Sequence, residues 1–354
     1  MQLINRILLI TSVSLSVISC KKDTDPILTI STGSEKIQLN GLAENELPNA
    51  APSKSVYLDF STEKTTPILR TSWDIGLYTG ADFRAILNIT AVAGAKVTNK
   101  FDLNLVGAAD TVGLSLNTSQ FNPLPIDLAY FDNVNGDLTR TVIPAISATP
   151  SLNPVIIVNR GTGGNIAPRA WVKMRIQRTT NGYSIQYAGI QETTYKTVNV
   201  TKNEEYNFQF VSFDNGIVSV EPEKLAWDIM WSYSMYQANF GAGLVPYNFS
   251  DMISVNYLAG VQVLEKRYVD ATTATNAFNA FNKDSVATNL TLAGRWTIAS
   301  SWRSTQPAIG AKQDRFYLLK DPSGNYYKLK SLAMGVGADG GTRGKPEFKY
   351  ALIP

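Results

Sequence analysis

The sequence predicts a mainly β protein: two tandem all-β domains with a minor helix, preceded by a signal peptide and a short tether. Three observations predict this fold class. Short runs rich in β-branched and aromatic residues alternate with turn-forming residues, four strand signatures recur in the same order, and the N-terminus carries one short apolar segment.

The N-terminal 19 residues are typical of a secretory signal. Arg6 precedes an apolar run from Ile7 to about Ile18, which is too short to span a bilayer as a stable helix. The run ends in "VISC", which resembles a bacterial lipobox and predicts cleavage before Cys20 with diacylglycerol on its thiol. An ordinary signal peptide that happens to place Cys20 near the cleavage point is the alternative.

Residues 20–52 are predicted to form a lipidated tether, with a strand around Ile37 to Leu39. The segment is rich in Thr, Ser, Asn and Pro, as flexible linkers often are. The stretch "KKDTDP" directly after Cys20 places acids behind a lysine pair. In some diderm bacteria such a pattern sends lipoproteins to the cell surface, so we expect an outer-membrane lipoprotein exposed at the surface.

Charge and composition exclude several function classes. Without Arg6 the chain has 31 basic and 29 acidic residues, a balance unlike that of nucleic-acid-binding proteins. It contains no histidine and one cysteine, which excludes Ser-His-Asp and Cys-His catalysis and zinc sites with His or Cys ligands. No motif calls for enzymatic activity, although a pair of carboxylates in a glycosidase-like cleft remains open.

The chain beyond the tether is predicted to be mostly strands. Runs such as "SVYLDF", "NPVIIVN", "YNFQFVSF" and "RFYLLK" are bounded by Gly, Asn, Asp and Pro. The main helical candidate is Thr272 to Lys283, in which Ala277, Phe278 and Phe281 recur at helical spacing.

Four signatures recur in the same order in the two halves of this region. They predict two copies of one domain, at residues 53–200 and 201–354; a single large sandwich with recurrent strand patterns is the alternative. Their spacings are 154, 153, 160 and 163 residues, for the pairs Trp73 and Trp227, Phe60 and Phe213, Asn165 and Asn325, and Tyr187 and Tyr350.

The most distinctive repeated element is Trp-Asp-Ile, at Trp73 and again at Trp227. In "LAWDIMWSYSMYQANF" large side chains occupy every second position from Trp227 to Met235, as a buried sheet face requires. We interpret Trp-Asp-Ile itself as part of the fold, with the aspartate capping a turn or pairing across the sheet. The additional Trp231, Tyr233 and Met235 of the second copy are candidates for function.

These motifs together resemble the HmuY-like family of haem-binding lipoproteins. The resemblance rests on the two Trp-Asp-Ile strands, on "RFYLLKDPSGNYYKLK" and on the terminal "FKYALIP". It implies a mostly β fold that captures free or host-derived haem at the bacterial surface and passes it to an outer-membrane TonB-dependent transporter. It implies no nucleic-acid partner, contact with the membrane only through the lipid anchor, and no metal beyond haem iron.

The resemblance also directs attention to candidate haem ligands, although the histidines of the bis-histidine members are absent. Methionine and tyrosine remain as axial ligands. Met252 lies closest to the region where the family places its ligands, Tyr257 and Tyr268 are the phenolic alternatives, and Arg303 is a candidate partner for a haem propionate. Packing in the core is the alternative role for the methionines.

A second function class stays open from the sequence alone. In it the chain is a tandem β surface lipoprotein that binds no haem, and its Trp and Tyr side chains stack on glycans or contact a partner protein. This alternative predicts exposed aromatic side chains on one face of the molecule.

Overall fold

A computed structural model describes residues 30–354, except 119–123, 242, 287–290, 293 and 307–309. The predicted signal peptide and Cys20 lie outside the described residues. No helix in the described part of the chain is long and apolar enough to cross a membrane. The prediction of a mainly β protein is confirmed.

The described strands and helices follow one another along the whole chain. In chain order the strands are β1 (Gly33–Gln38), β2 (Lys54–Asp59), β3 (Lys64–Leu69), β4 (Ile75–Tyr78), β5 (Ala85–Leu87), β6 (Gly94–Val97), β7 (Ile156–Asn159), β8 (Val172–Arg178), β9 (Gly182–Gly189), β10 (Lys196–Thr201), β11 (Phe208–Ser212), β12 (Gly216–Val218), β13 (Ile229–Asn239), β14 (Leu244–Val255), β15 (Gln262–Arg267), β16 (Thr291–Leu292), β17 (Arg303–Ser304), β18 (Gly310–Ala311), β19 (Arg315–Lys320), β20 (Tyr326–Ala333) and β21 (Glu347–Ile353). The α-helix is α1 (Ala271–Ala280), and short 3₁₀ turns occupy Leu103–Leu105, Ala108–Thr111, Pro125–Tyr130, Leu138–Arg140, Pro150–Leu152, Tyr257–Ala259 and Lys283–Ser285.

The strands form two β-sandwiches, and one of them is inserted into the other. The inserted lobe, residues 71–222, pairs a five-stranded sheet of order β10-β9-β8-β7-β6 with a four-stranded sheet of order β12-β11-β4-β5. The outer lobe, residues 30–70 and 223–354, pairs a six-stranded sheet of order β1-β21-β20-β19-β15-β16 with a four-stranded sheet of order β14-β13-β2-β3. The inserted lobe is therefore continuous in sequence, whereas the outer lobe is not.

The two hairpins that precede the Trp-Asp-Ile strands are exchanged between the predicted copies. The first hairpin, β2–β3, pairs with β13, and the second hairpin, β11–β12, pairs with β4. Strand pairing therefore crosses the predicted boundary between residues 200 and 201. The division into residues 53–200 and 201–354 stays a prediction about the sequence repeat.

Each lobe has its own apolar core between its two sheets. Leu58, Ile229 and Trp231 belong to the core of the outer lobe, together with Phe348 from β21. The corresponding strands of the inserted lobe contribute Ile75, Leu77 and Val211. Burial of each such side chain stabilises the fold by roughly 1.5–3 kcal/mol.

Part of the predicted tether is folded. Strand β1 pairs antiparallel with β21, and Leu39 just beyond it is fully buried in the core of the outer lobe. Leu42 is also buried. The predicted strand around Ile37 to Leu39 thus begins earlier, at Gly33.

The predicted helix at Thr272–Lys283 corresponds to α1. The helix begins after Asp270, whose side chain accepts a hydrogen bond from the Thr273 backbone N–H at 2.7 Å, as an N-cap does. Its apolar face packs Phe278 edge-on against Phe316 of β19, with 5.6 Å between the ring centroids. The helix therefore covers the far side of the six-stranded sheet.

Candidate functional site

The two Trp-Asp-Ile segments are held by the same set of hydrogen bonds. Asp74 accepts the backbone N–H of Phe213 at 2.8 Å, and Asp228 accepts that of Phe60 at 2.8 Å. Each aspartate therefore fixes the exchanged hairpin that comes from the other copy. Capping of a backbone group across the sheet, one of the roles considered for this aspartate, is what the structure shows.

Two buried asparagines complete these matched networks. The side-chain amide of Asn88 donates to the carbonyl of Trp73 at 2.7 Å, and that of Asn256 donates to the carbonyl of Trp227 at 2.9 Å. Because both partners are buried, loss of either bond would leave a carbonyl unsatisfied. The two tryptophans are thus fixed in equivalent positions, one on each four-stranded sheet.

The alternation along β4 and β13 decides which face each side chain occupies. Ile75 and Ile229 point into the lobe cores, so the next residue on each strand faces the opposite way. In β4 that residue is Gly76, where an added Cβ would lie 2.9 Å from Ile86 and 3.1 Å from Phe210. In β13 it is Met230, which lies opposite Tyr57 in the sheet register.

A cleft separates these outward faces of the two four-stranded sheets. Its empty space is about 710 Å³ when the open solvent at its mouth is included. Most of the exposed surface of its lining is apolar. Seven aromatic side chains line it: Tyr57, Trp73, Phe208, Phe210, Trp227, Tyr257 and Trp296.

Ring packing positions both tryptophans of the cleft. Tyr57 packs edge-on against Trp227 with 5.0 Å between ring centroids, and Phe210 packs edge-on against Trp73 at 4.9 Å. In each pair the partner ring comes from the exchanged hairpin. Such pairs contribute about 0.5–1.5 kcal/mol beyond area burial, so the cleft walls are well ordered.

One acid lies buried in the wall of this apolar cleft. Glu221 accepts the backbone N–H of Phe208 at 2.7 Å, and burial raises the pKa of its carboxyl to about 8. Burial, together with the neighbouring Glu221, also raises the pKa of the Tyr57 phenol well above its ordinary value. Near pH 7 both groups are therefore mainly neutral.

One cation lies in the same wall. The Arg295 guanidinium lies over the Tyr257 ring, 5.7 Å from its centroid. Within the described part of the chain no carboxylate oxygen lies within 4.0 Å of Arg295. Arg295 interacts electrostatically with the buried carboxyls of Asp132 and Glu221 but forms an ion pair with neither, so its guanidinium can still pair with an anionic group of a ligand.

The four candidate haem-binding residues from the sequence do not share one site. Tyr257 lines the cleft, where its hydroxyl donates to the Gly136 carbonyl at 2.6 Å. Met252 is buried in β14, and Tyr268 stacks on Phe316 beside α1 with 5.7 Å between ring centroids. Arg303 is buried on β17, where its Nη2 donates to the Ser250 carbonyl at 2.6 Å.

The alternating large side chains from Trp227 to Met235 lie in three different environments rather than on one face of a sheet. Trp227 lines the cleft and Trp231 is fully buried in the core of the outer lobe. The register of β13 against β14 shifts between Ser232 and Ser234, so the alternation is interrupted there. Beyond it, Met235 packs against residues of the inserted lobe, Val92 and Phe131 among them.

Sequence reasoning missed several residues of the cleft. Glu221 and Arg295 belong to neither the repeated motif nor the family resemblance, and only their positions in the wall of the cleft reveal them. The repeated Trp-Asp-Ile was the available signal, because both tryptophans line the cleft. In the described ranges no cluster of three or more Cys, Asp or Glu side chains could hold a metal ion.

In the described part of the chain, fold and cleft together define a mainly β, two-lobed protein with an aromatic cleft between its lobes. The family described as HmuY protein matches residues 52–350, and the chain belongs to this family of haem-binding, surface-associated proteins. No curated protein and no solved structure matches the chain.

Proposed function

We propose that this protein is a surface lipoprotein that binds haem or a related tetrapyrrole in the cleft between its lobes and passes it to an outer-membrane TonB-dependent transporter. The observation that carries the proposal is the cleft itself. It is mostly apolar and is lined by tryptophans from both four-stranded sheets.

A flat macrocycle matches the shape and chemistry of this cleft. Trp73 and Trp227 offer aromatic surface from the two opposite walls. Arg295 provides a positive charge for a propionate, and a charge-assisted pair of this kind is stronger than a neutral hydrogen bond. Membership in a haem-binding family supports the same ligand class.

The proposed address rests on the N-terminal sequence. Lipidation of Cys20 would anchor the body to the outer membrane, and the acids after the lysine pair would direct it to the cell surface. Haem carried by host proteins is then the natural source of the ligand. Mass spectrometry of the protein extracted from membranes would show the acylated Cys20 N-terminus, and an unmodified, longer N-terminus would contradict it.

The binding proposal is tested by titrating hemin into the chain from residue 21 onward. We expect a saturable shift of the Soret band and quenching of tryptophan fluorescence, with Fe(III) or Fe(II). Trp227→Leu should weaken binding about tenfold, because it removes ring contact worth about 1.4 kcal/mol or more. Trp171→Leu, outside the cleft, is the matched control. No spectral change with either oxidation state would overturn the proposal.

A row of aromatic side chains on the hairpin β13–β14 favours a second candidate, the binding of a glycan. Phe240 is half exposed, its ring lies 5.1 Å from that of Tyr247, and the Tyr247 ring lies 5.2 Å from that of Phe249. Retention on a polysaccharide gel that Phe240→Ser abolishes, without any effect of hemin, would support this function instead.

A further inference from the structure

We propose that the cleft recognises the tetrapyrrole ring and its carboxylates rather than the iron, so that metal-free porphyrin binds as tightly as haem. This inference rests on the proposed function and specifies its ligand class. It follows from two features of the cleft: the weakness of every candidate iron ligand in its lining, and the unpaired cation at its wall.

Neither phenol of the cleft is suited to hold iron. The Tyr257 hydroxyl donates to the Gly136 carbonyl at 2.6 Å, so its proton is already engaged. The Tyr57 phenol lies beside Glu221 in a buried position, and the loss of its proton is opposed by both. A tyrosine that binds ferric haem does so as a phenolate, so both residues are poor ligands.

One thioether remains among the side chains that line the cleft. Met230 lies on β13 between Tyr57 of β2 and Ser254 of β14 in the sheet register. The chain has no histidine to serve as a second axial ligand. A single thioether is a weak, neutral ligand, and sulfur at such a position more often fills irregular space.

The charged groups of the cleft favour contact with the carboxylates at the edge of the ligand rather than with its metal. Arg295 lies beside Tyr257 and has no carboxylate partner in the described part of the chain, so it is available to a carboxylate of the ligand. Glu221 is mainly neutral near pH 7 and does not repel such a group. The ring itself meets the aromatic walls, whose contacts do not depend on a metal.

The test compares three probes on the full chain from residue 21 onward: hemin, metal-free protoporphyrin IX and its dimethyl ester. We expect dissociation constants for hemin and protoporphyrin IX within about threefold of each other. Arg295→Gln should weaken both by about tenfold, the loss of one charge-assisted hydrogen bond, and leave the uncharged dimethyl ester unchanged. Met230→Leu should change none of the three by more than about twofold.

Arg303→Gln is the matched control, because Arg303 is a buried arginine that does not line the cleft. Circular dichroism of each variant checks that it is folded. Hemin bound more than tenfold tighter than protoporphyrin IX, with Met230→Leu removing the difference, would overturn metal-independent recognition while leaving haem binding in place. Failure of all three probes would overturn the proposed function as well.

Discussion

The two Trp-Asp-Ile sites have the same backbone connections but different electrostatic surroundings. At the first site the buried Asp74 carboxylate pairs with Arg160 at 2.8 Å and with Arg169 at 3.1 Å. At the second site no cation lies within 4.0 Å of the Asp228 carboxyl among the described residues, and burial together with nearby Asp59 raises its pKa well above the ordinary value.

This difference separates what the motif needs from what surrounds it. The hydrogen bond to the exchanged hairpin and the asparagine that holds the tryptophan occur at both sites. The ion pairs with Arg160 and Arg169 occur at the first site. The aspartate therefore serves chiefly as an acceptor for a backbone N–H, and it performs this role whether it is charged or neutral.

The hairpins that follow the two sites differ as well. Strands β4 and β5 are short, whereas β13 and β14 have 11 and 12 residues. The longer hairpin reaches across to the inserted lobe, where Met235 is buried against Val92 and Phe131. The additional bulk of the second copy thus joins the two lobes and limits how far the cleft can open.

The largest effect is expected from cutting the chain between residues 200 and 201. The fragment 53–200 lacks β11 and β12, so β4 loses its neighbour in the sheet and Asp74 loses its backbone partner. We expect it to show no cooperative thermal transition. Residues 71–222 retain both sheets of the inserted lobe, and we expect them to melt cooperatively in the same calorimeter. The reverse result would show that the hairpins are not exchanged.

Asp74→Asn should be the most destabilising single substitution of the comparison. Asparagine can still accept the Phe213 N–H, but Arg160 and Arg169 lose their buried countercharge. Breaking a buried ion pair in this way costs about 3–5 kcal/mol. Urea denaturation measures the change, with Asp214→Asn as control because that carboxylate is largely exposed. A loss of unfolding free energy below about 1 kcal/mol would mean that the ion pairs of Asp74 make no energetic difference between the two sites.

Asn88→Ala and Asn256→Ala should have similar, intermediate effects. Each substitution leaves buried carbonyls without a donor, which costs about 1–3 kcal/mol. Near-equal losses in urea denaturation would support equivalent roles at the two sites. If one variant kept wild-type stability and the other lost stability, the two asparagines would share a geometry but not an energetic role.

Asp228→Asn should have the smallest effect, and one that depends on pH. Because the folded-state pKa of Asp228 is raised, wild type loses stability as pH rises from about the ordinary value of 3.8 toward the folded-state pKa. Asparagine cannot ionise and escapes this loss. We expect equal melting temperatures near pH 3.5 and a higher value for the variant at pH 8. A variant that is less stable at pH 8 would place a countercharge beside Asp228.

The sequence predicts the class of fold well because strand composition and turn residues are local signals. It cannot predict the hairpin exchange. In both hairpins a phenylalanine directly after the first strand donates its N–H to an aspartate, so pairing of β2 with β4 or with β13 satisfies the same local pattern. The choice depends on contacts between distant segments.

The residues of the candidate site could likewise be predicted only in part from the sequence. The two cleft tryptophans carry a sequence signal, since they are repeated. Tyr257 was found through the position implied by the family resemblance, and Met252, Tyr268 and Arg303 were chosen in the same way but lie elsewhere. Glu221 and Arg295 become visible only when burial and charge are known together, which one-dimensional patterns do not contain.

We propose that the ligand enters the cleft between the four-stranded sheets, and a substitution that fills this cleft tests the proposal most directly. Ser254 is buried and lines the cleft from β14, so phenylalanine in its place would fill part of the cleft. We predict that hemin titration of Ser254→Phe shows at least tenfold weaker binding than wild type, while Thr275→Phe on the exposed side of α1 leaves binding unchanged. Wild-type affinity in a folded Ser254→Phe variant would contradict the claim and place the ligand elsewhere.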